Sequence, residues 1–324
     1  MTASLIQFER SGRRGVAMLE DAGIAFVLDD TASIYELARE CLANGVGLAD
    51  AAAAKRGEQI ELDAIRLLSP IDHPDDAHLL VSGTGLTHLG SAEGRDKMHA
   101  AAAAGTATDT MRMFLMGLEG GKPASGEGVQ PEWFYKGDGS ILVPPGEALV
   151  RPAFAGDGGE EPEIAGIYII DDQGRPRRLG FALGNEFSDH VTEQVNYLWL
   201  AHSKLRPAAL GAELLLGDLP DHVEGTSRIL RGDAVLWEKT FVSGEANMSH
   251  TIANLEHHHF KNAPFCRAGD IHVHFFGTAT LSYADGVAAQ DGDRFEIAAS
   301  PFRLPVSNPL ATGAPVPLTQ ATAL

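Results

Sequence analysis

The chain has 324 residues, 44% of them hydrophobic, which is enough for a sizeable core and one smaller module. The 44 acidic residues against 25 basic ones give a net charge of −19, which excludes nucleic acid as a partner, because neutralising phosphates needs clustered Lys and Arg. An anionic small molecule would be repelled by that field, so a site for one must be locally positive.

The N-terminal MTASLIQFERSGRRG has no apolar signal core, and no run approaches the ~18 apolar residues of a membrane helix, so a cytoplasmic protein without a membrane partner is expected. Residues 1–75 combine short apolar runs, Gly15 to Leu19 and Ile24 to Leu28, with a helical stretch from Ile34 to Leu42, which predicts a small α+β domain. The link from Ser69 to Asp76 is rich in Pro and Asp, and a second domain, 76–324, starts with the apolar run at Leu79. An Ala-rich helix is expected from Met98 to Leu118, breaking at Gly120-Gly121-Lys122-Pro123, with a mobile loop at about 122–131. The chain then turns β-rich. Ile164 to Ile170 and Leu179 to Leu183 flank the turn Asp171-Asp172-Gln173-Gly174 as a hairpin. An amphipathic helix is expected from Val191 to His202, and strands around Ile229 to Phe241, Ile271 to Phe276 and Arg294 to Ala298. The tail from Pro305 onward is expected to be extended, packed on the body or on a partner subunit.

Several patterns carry no chemistry. In Gly83-Thr84-Gly85 the third glycine of a dinucleotide fingerprint would fall on His88, and in Gly90-Ser91-Ala92-Glu93-Gly94 the serine is second rather than third, so it is no nucleophile elbow. The consecutive His257, His258 and His259 cannot converge on one ion from a regular helix or strand, which makes them a solvated or partly packed run. Cys41 and Cys266 are too few and too far apart for a disulfide framework or a zinc ribbon.

Glu161-Pro162-Glu163 is different. Pro162 disfavours helix at Glu161, and in extended chain Glu161 and Glu163 point to one face, a pairing that suits a hard cation. An acidic surface turn is the alternative, since Asp157 and Glu160 stand just upstream. Glu186, at the end of the second hairpin strand, offers a third carboxylate. Lys204 follows the expected helix, as a surface residue unless it reaches into the metal pocket.

Taken in order, the E-x-E pair, Asn185-Glu186, Lys204, and the late Gly269-Asp270-Ile271 with Gly277-Thr278 resemble the fumarylacetoacetate hydrolase superfamily over about residues 80–300. Pro131-Glu132-Trp133-Phe134-Tyr135-Lys136 is similar to that family's P-x-x-F-x-K stretch. The resemblance implies an α+β, β-rich fold, with a mixed β-roll catalytic domain behind a small N-terminal domain, and a homodimer. It also implies Mg²⁺, or Mn²⁺ or Ca²⁺, on Glu161, Glu163 and Glu186, with Glu186 standing where the family usually has aspartate. Lys204 would then act on the substrate, Thr278 would contact its carboxylate, and Gly277, Lys136 and Asn185 would complete the binding site.

One departure bears on the reaction. Gly85 to Glu93 is similar to the family's G-L-N-Y-x-x-H-A-x-E, with Ser91 in place of the histidine that, with the glutamate, activates water. The same replacement marks the branch containing 2-keto-3-deoxy sugar acid dehydratases. The expected function is dehydration of a 2-keto-3-deoxy aldonic acid, with Lys204 or Glu93 as base and Ser91 or His88 as candidate acids. One alternative is a hydrolase of a 2,4-dioxo acid, an acylpyruvate or 2,4-diketo-3-deoxy sugar acid, with His88 as base. The other is a metal-binding family member without catalysis.

Overall fold

The computed structural model describes residues 3–20, 23–90, 99–101 and 103–324. Strands β1 (Ser4–Arg10), β2 (Arg13–Leu19), β3 (Ile24–Leu28), β4 (Arg56–Glu61) and β5 (Arg66–Leu67) carry helices α1 (Ile34–Asn44) and α2 (Leu48–Ala54) between β3 and β4. Then come β6 (Leu79–Gly83), helix α3 (Asp109–Gly120), β7 (Phe134–Asp138), β8 (Leu142–Val143) and β9 (Leu149–Arg151). The hairpin of β10 (Pro162–Ile170) and β11 (Pro176–Asn185) leads to helices α4 (His190–Val195) and α5 (Leu200–Lys204). Strands β12 (Ala208–Leu210), β13 (Glu213–Leu215), β14 (Val223–Arg231) and β15 (Ala234–Ser243) precede helix α6 (Ile252–Phe260). The chain closes with β16 (Ile271–Phe275), β17 (Arg294–Ala299) and β18 (Val306–Thr312).

Among the described residues these strands form two sheets. The larger runs β4-β3-β2-β1-β13-β11-β10-β16-β6-β7, with β5, β8 and β12 attached, and the smaller runs β15-β14-β17-β18-β9. Strand β1 pairs with β13, so the N-terminal strands continue the sheet that carries the central hairpin. The fold is the strand-rich α+β architecture expected.

The sequence of β10, PEIAGIYII, shows no polar alternation, and all nine residues are buried. Such a run is covered on both faces. Ala165, Ile167 and Ile169 face one apolar cluster with Leu37 and Val273, while Ile164 faces a second with Phe295 and Ile297 of the smaller sheet. This double burial fixes the strand's register, because a one-residue slip would exchange its faces.

Two helical expectations are corrected. The helix expected over 98–118 is interrupted: residues 99–101 and 103 are helical, Gly105 takes a left-handed conformation, and Thr108 starts a separate helix, Asp109–Gly120, by accepting from the Met111 amide at 3.2 Å. The stretch 191–202 is not one helix either. Asn196 is extended, its side chain accepts from the Leu198 amide at 3.0 Å, and a new turn leads into α5. The histidine run divides: His257 is exposed, whereas His258 and His259 are buried, His259 against His272 at 2.9 Å. The loop at 122–131 is tied to α6, with the Gly128 amide donating to Asn254 and Asn254 Nδ2 donating to the Val129 carbonyl. Among the described residues, no helix is long and apolar enough to cross a membrane.

Phe181, fully buried and edge-on to Phe276 with ring centroids 6.2 Å apart, joins the hairpin to the core between the sheets. Phe181→Ala is expected to lower stability by about 3–5 kcal/mol, measured by urea unfolding. A loss under 1 kcal/mol would show that the core collapses to fill the space.

Candidate metal centre

The β10–β11 register sets Pro162 against Asn185 and Glu163 against Gly184. One step further the ladder continues as the Glu186 amide donates to the Glu161 carbonyl at 3.0 Å. Residues directly opposite in an antiparallel pair share a face, so Glu161, Glu163 and Glu186 are delivered to the same side. Each offers a carboxylate oxygen within 4.8 Å of the others, and all three residues are buried. Asn185 secures the corner, its amide oxygen accepting from the Glu161 amide at 3.2 Å.

Lys204, the last residue of α5 and 4% exposed, extends its ammonium among them. Nζ lies 2.6 Å from Glu161 Oε1, 2.6 Å from Glu186 Oε2 and 3.0 Å from Ser188 Oγ, and 4.9 Å from the centre of the Phe134 ring. Lys136, on the same face of β7 as Phe134, donates to the Phe187 carbonyl at 2.6 Å and lies 2.5 Å from Glu186 Oε1. His190 Nε2 stands 3.0 Å from Glu161 Oε1, with Asp157 3.7 Å behind its other nitrogen. Glu163 Oε2 accepts from the Gly277 amide at 2.7 Å. Position 277 has no room for a side chain: a Cβ would meet Thr87 Oγ1 at 2.4 Å, and φ is +94°.

These neighbours set the charges. Burial raises the Glu161 carboxyl, but the Lys204 charge and the His190 hydrogen bond outweigh it and hold the group well below the usual carboxylate range. Burial raises Glu163 far above that range, and the charges of Glu186 and Glu161 add to the effect. Burial also raises Glu186, against the opposing charges of Lys136 and Lys204. For Lys204 burial disfavours the charge, yet Glu161, Glu186 and Glu193 raise its pKa well above the ordinary value. Three buried carboxylates, of which burial and its two neighbours raise Glu163 furthest, form an all-oxygen donor set suited to a hard divalent cation.

The structure thus brings together seven of the residues singled out in the sequence: Glu161, Glu163, Glu186, Lys204, Lys136, Asn185 and Gly277. Thr278 follows Gly277, and its hydroxyl accepts from the Thr280 amide at 3.2 Å. His88 is buried with Nδ1 3.0 Å from Thr87 Oγ1 and Nε2 2.9 Å from Ser243 Oγ, and burial lowers its pKa to about 4. Ser91 and Glu93 lie outside the described residues.

Sequence reasoning missed Ser188, His190 and Glu132. Glu132 is buried and accepts a hydrogen bond from the Tyr197 hydroxyl. Burial raises its carboxyl above the usual range despite that bond and the Lys204 charge. Gly85 makes room for it, since a Cβ there would lie 1.8 Å from Glu132 Oε1. The signal was the period of two: Glu132 stands two residues before Phe134 and four before Lys136.

No protein-family model matches the chain, and no curated protein matches it. Solved structures do. The structure is similar to that of 2-keto-3-deoxyarabinonate dehydratase, with a TM-score of 0.69 and 19% identity over 96% of this chain and 99% of that one. A form of that dehydratase complexed with magnesium and 2,5-dioxopentanoate gives 0.68, at 19% identity and the same coverage. Fumarylacetoacetate hydrolase from Exiguobacterium antarcticum gives 0.61 at 16% identity, over 96% of this chain and 100% of that one. The 5-carboxymethyl-2-hydroxymuconate delta-isomerase from Mycobacterium smegmatis also gives 0.61 at 16%, over 96% and 99%. The chain therefore has the fold of the fumarylacetoacetate hydrolase superfamily, as its motifs implied.

The raised Glu163 makes metal binding and pH interdependent. The folded, metal-free chain keeps a proton that an unfolded glutamate, at its ordinary 4.5, has released, so Glu163 takes stability away as pH rises above that value. The depressed Glu161 acts in the opposite sense but below 4.5, where its contribution is lost on acidification. A cation must displace the Glu163 proton. Mg²⁺ is therefore expected to raise the melting temperature more at pH 8 than at pH 5 and to release protons on titration; equal effects at both pH values would contradict the protonated Glu163.

His190 is buried and orients Glu161. Removing such a partner of a ligand typically weakens metal binding about 10- to 100-fold. His190→Ala is expected to lose affinity in that range by calorimetry with Mn²⁺, with His190→Gln recovering part of it. Unchanged affinity in His190→Ala would make the contact incidental.

Proposed function

We propose that the protein is a divalent-metal-dependent hydro-lyase that dehydrates a 2-keto-3-deoxy aldonic acid, a pentonate giving 2-oxoglutarate semialdehyde. The observation that carries this is the meeting of Glu161, Glu163 and Glu186 around the Lys204 ammonium, in a fold shared with a dehydratase seen with magnesium and 2,5-dioxopentanoate.

Glu161, Glu163 and Glu186 would hold the cation, Mg²⁺ foremost. When bound, it supplies stabilisation of the negative charge that develops on the oxo oxygen as the C3 proton leaves. The chain's own residues do the rest. The Lys204 ammonium sets a positive field in a buried site, where such a charge acts far more strongly than in water. Glu132, whose carboxyl burial raises above its ordinary value beside Lys204, is a candidate to exchange protons with the substrate, and Glu93 is the second carboxyl assigned to that work. Loss of the C3 proton and the C4 hydroxyl, the latter leaving as water with one added proton, gives a C3–C4 double bond. Moving a proton from C5 to C3 then gives the C4–C5 enol, and passing the enol hydroxyl proton to C4 yields the C5 aldehyde, with no oxidant needed.

His88 supports elimination over hydrolysis. Both its ring nitrogens are paired with Thr87 and Ser243, and burial lowers its pKa to about 4, so it is a weak base poorly placed to take over the role of the family's histidine.

The Mg²⁺-loaded protein is expected to convert 2-keto-3-deoxypentonate to a product lighter by one water and to leave 2,4-dioxo acids intact, as read by mass. Lys204→Ala should fold and bind metal but lose about 10²- to 10³-fold in kcat, and Lys204→Arg should not restore it. Cleavage of 2,4-dioxo acids with 2-keto-3-deoxy acids untouched, and lost in His88→Ala, would establish the hydrolase instead.

A further inference from the structure

Tyr197 stands in the turn that Asn196 caps, between helices α4 and α5, and lines a pocket of about 340 Å³ beside His190. Its hydroxyl donates to Glu132 Oε2, 65 positions away in the chain. The same short segment ends at Lys204, whose ammonium sits among the metal ligands. One stretch of chain therefore delivers both a cation to the site and a phenol to a carboxyl that stands two residues before β7.

Glu132 differs from the neighbouring buried glutamates. Glu161, Glu163 and Glu186 offer their oxygens to a cation, and Glu160 accepts from both the amide and the hydroxyl of Ser282 at 2.8 Å. Glu132 has the Tyr197 hydroxyl on Oε2, while Oε1 lies against Gly85, where a Cβ would come within 1.8 Å. A phenol on one oxygen and a residue without a side chain beside the other fix the direction of the carboxyl. Burial raises its pKa; the Tyr197 hydrogen bond and the Lys204 charge act against that, and the charges of Glu193 and Glu161 act with it. Burial and the Glu132 bond raise the phenol in turn, so Tyr197 keeps its proton and remains a donor.

We propose that Tyr197 is a positioning residue for the dehydration: its hydroxyl holds the Glu132 carboxylate in the orientation from which it takes the C3 proton of the bound 2-oxo acid. The proposal rests on the reading of the site set out above. In this step the C3–H bond breaks, its electron pair passes to the 2-oxo group as the enolate forms, and the proton goes to Glu132. A hydrogen bond donated to the ionised carboxylate favours that form, whereas burial disfavours it, so Tyr197 offsets part of the penalty of keeping a charged base in the interior. Tyr197 acts through Glu132.

The test compares the Mg²⁺-loaded full chain with Tyr197→Phe, which keeps the ring and removes the donor, and with Glu132→Gln. On 2-keto-3-deoxypentonate, Tyr197→Phe is expected to lose about 10- to 100-fold in kcat with KM changed by less than about threefold. The acid limb of its kcat/KM profile should move to higher pH, because the carboxylate has lost the donor that favours its charge. Mn²⁺ affinity by calorimetry should stay at the wild-type value, since the Tyr197 hydroxyl is engaged by Glu132 rather than by a metal ligand. Glu132→Gln should lose more activity than Tyr197→Phe. A lower kcat with the acid limb unmoved would make Tyr197 a brace for the segment 190–204 and overturn the proposal. Wild-type turnover in Tyr197→Phe or in Glu132→Gln would overturn it too, and in each of these cases the dehydration itself stands. If the wild-type chain leaves 2-keto-3-deoxypentonate unchanged, the reading of the site is wrong and the role of Tyr197 falls with it.

Discussion

One backbone hydrogen bond, from the Glu186 amide to the Glu161 carbonyl, places the three carboxylates opposite one another at the open end of the β10–β11 hairpin. It extends a ladder whose register is held by apolar side chains on both faces of β10, so the geometry of the metal centre is a consequence of core packing. A slip of one residue would turn Glu161 and Glu163 away from Glu186 while also exchanging the two cores. Stability and site geometry are thus specified by the same contacts.

Gathering three carboxylates in the interior is costly unless positive charge accompanies them. Lys136, Lys204 and His190 supply it unevenly: Lys204 bridges Glu161 and Glu186, His190 faces Glu161, and Lys136 faces Glu186. Among the described residues Glu163 accepts only from the Gly277 amide, and burial with the charges of Glu186 and Glu161 outweighs that bond and the Lys204 charge, raising its pKa well above the ordinary value. The imbalance is local, and a divalent cation corrects it. In a chain of net charge −19, Lys136, Lys204 and His190 concentrate positive charge at one point of an acidic molecule.

The candidate metal site and the pocket beside it are built by different segments. Strand β7 and the open end of the β10–β11 hairpin present Lys136 and the three carboxylates, a rigid setting for groups that must hold their geometry. The segment 190–204 and the loop after Gly277 line that pocket with Glu193, Tyr197 and Tyr283.

The sequence by itself determined the central hairpin, the shared face of Glu161 and Glu163, the nearness of Glu186 and the superfamily's fold, because turn residues, a period of two and motif order are local properties of the chain. Only the tertiary structure decided what surrounds them. Lys204 could equally have been a surface lysine until α5 buried it, and the helix expected from Val191 to His202 broke at Asn196, whose side chain caps the next turn. Lys136 meets Glu186 across 50 positions and His190 meets Glu161 across 29, distances over which no periodicity reports. His88 shows the same limit from the other side: its place in the motif marked it for chemistry, whereas packing set Thr87 and Ser243 against its ring. Burial and charge pairing arise when distant segments are brought into contact, and it is they that set which carboxylates keep a proton and which lysine meets the metal ligands.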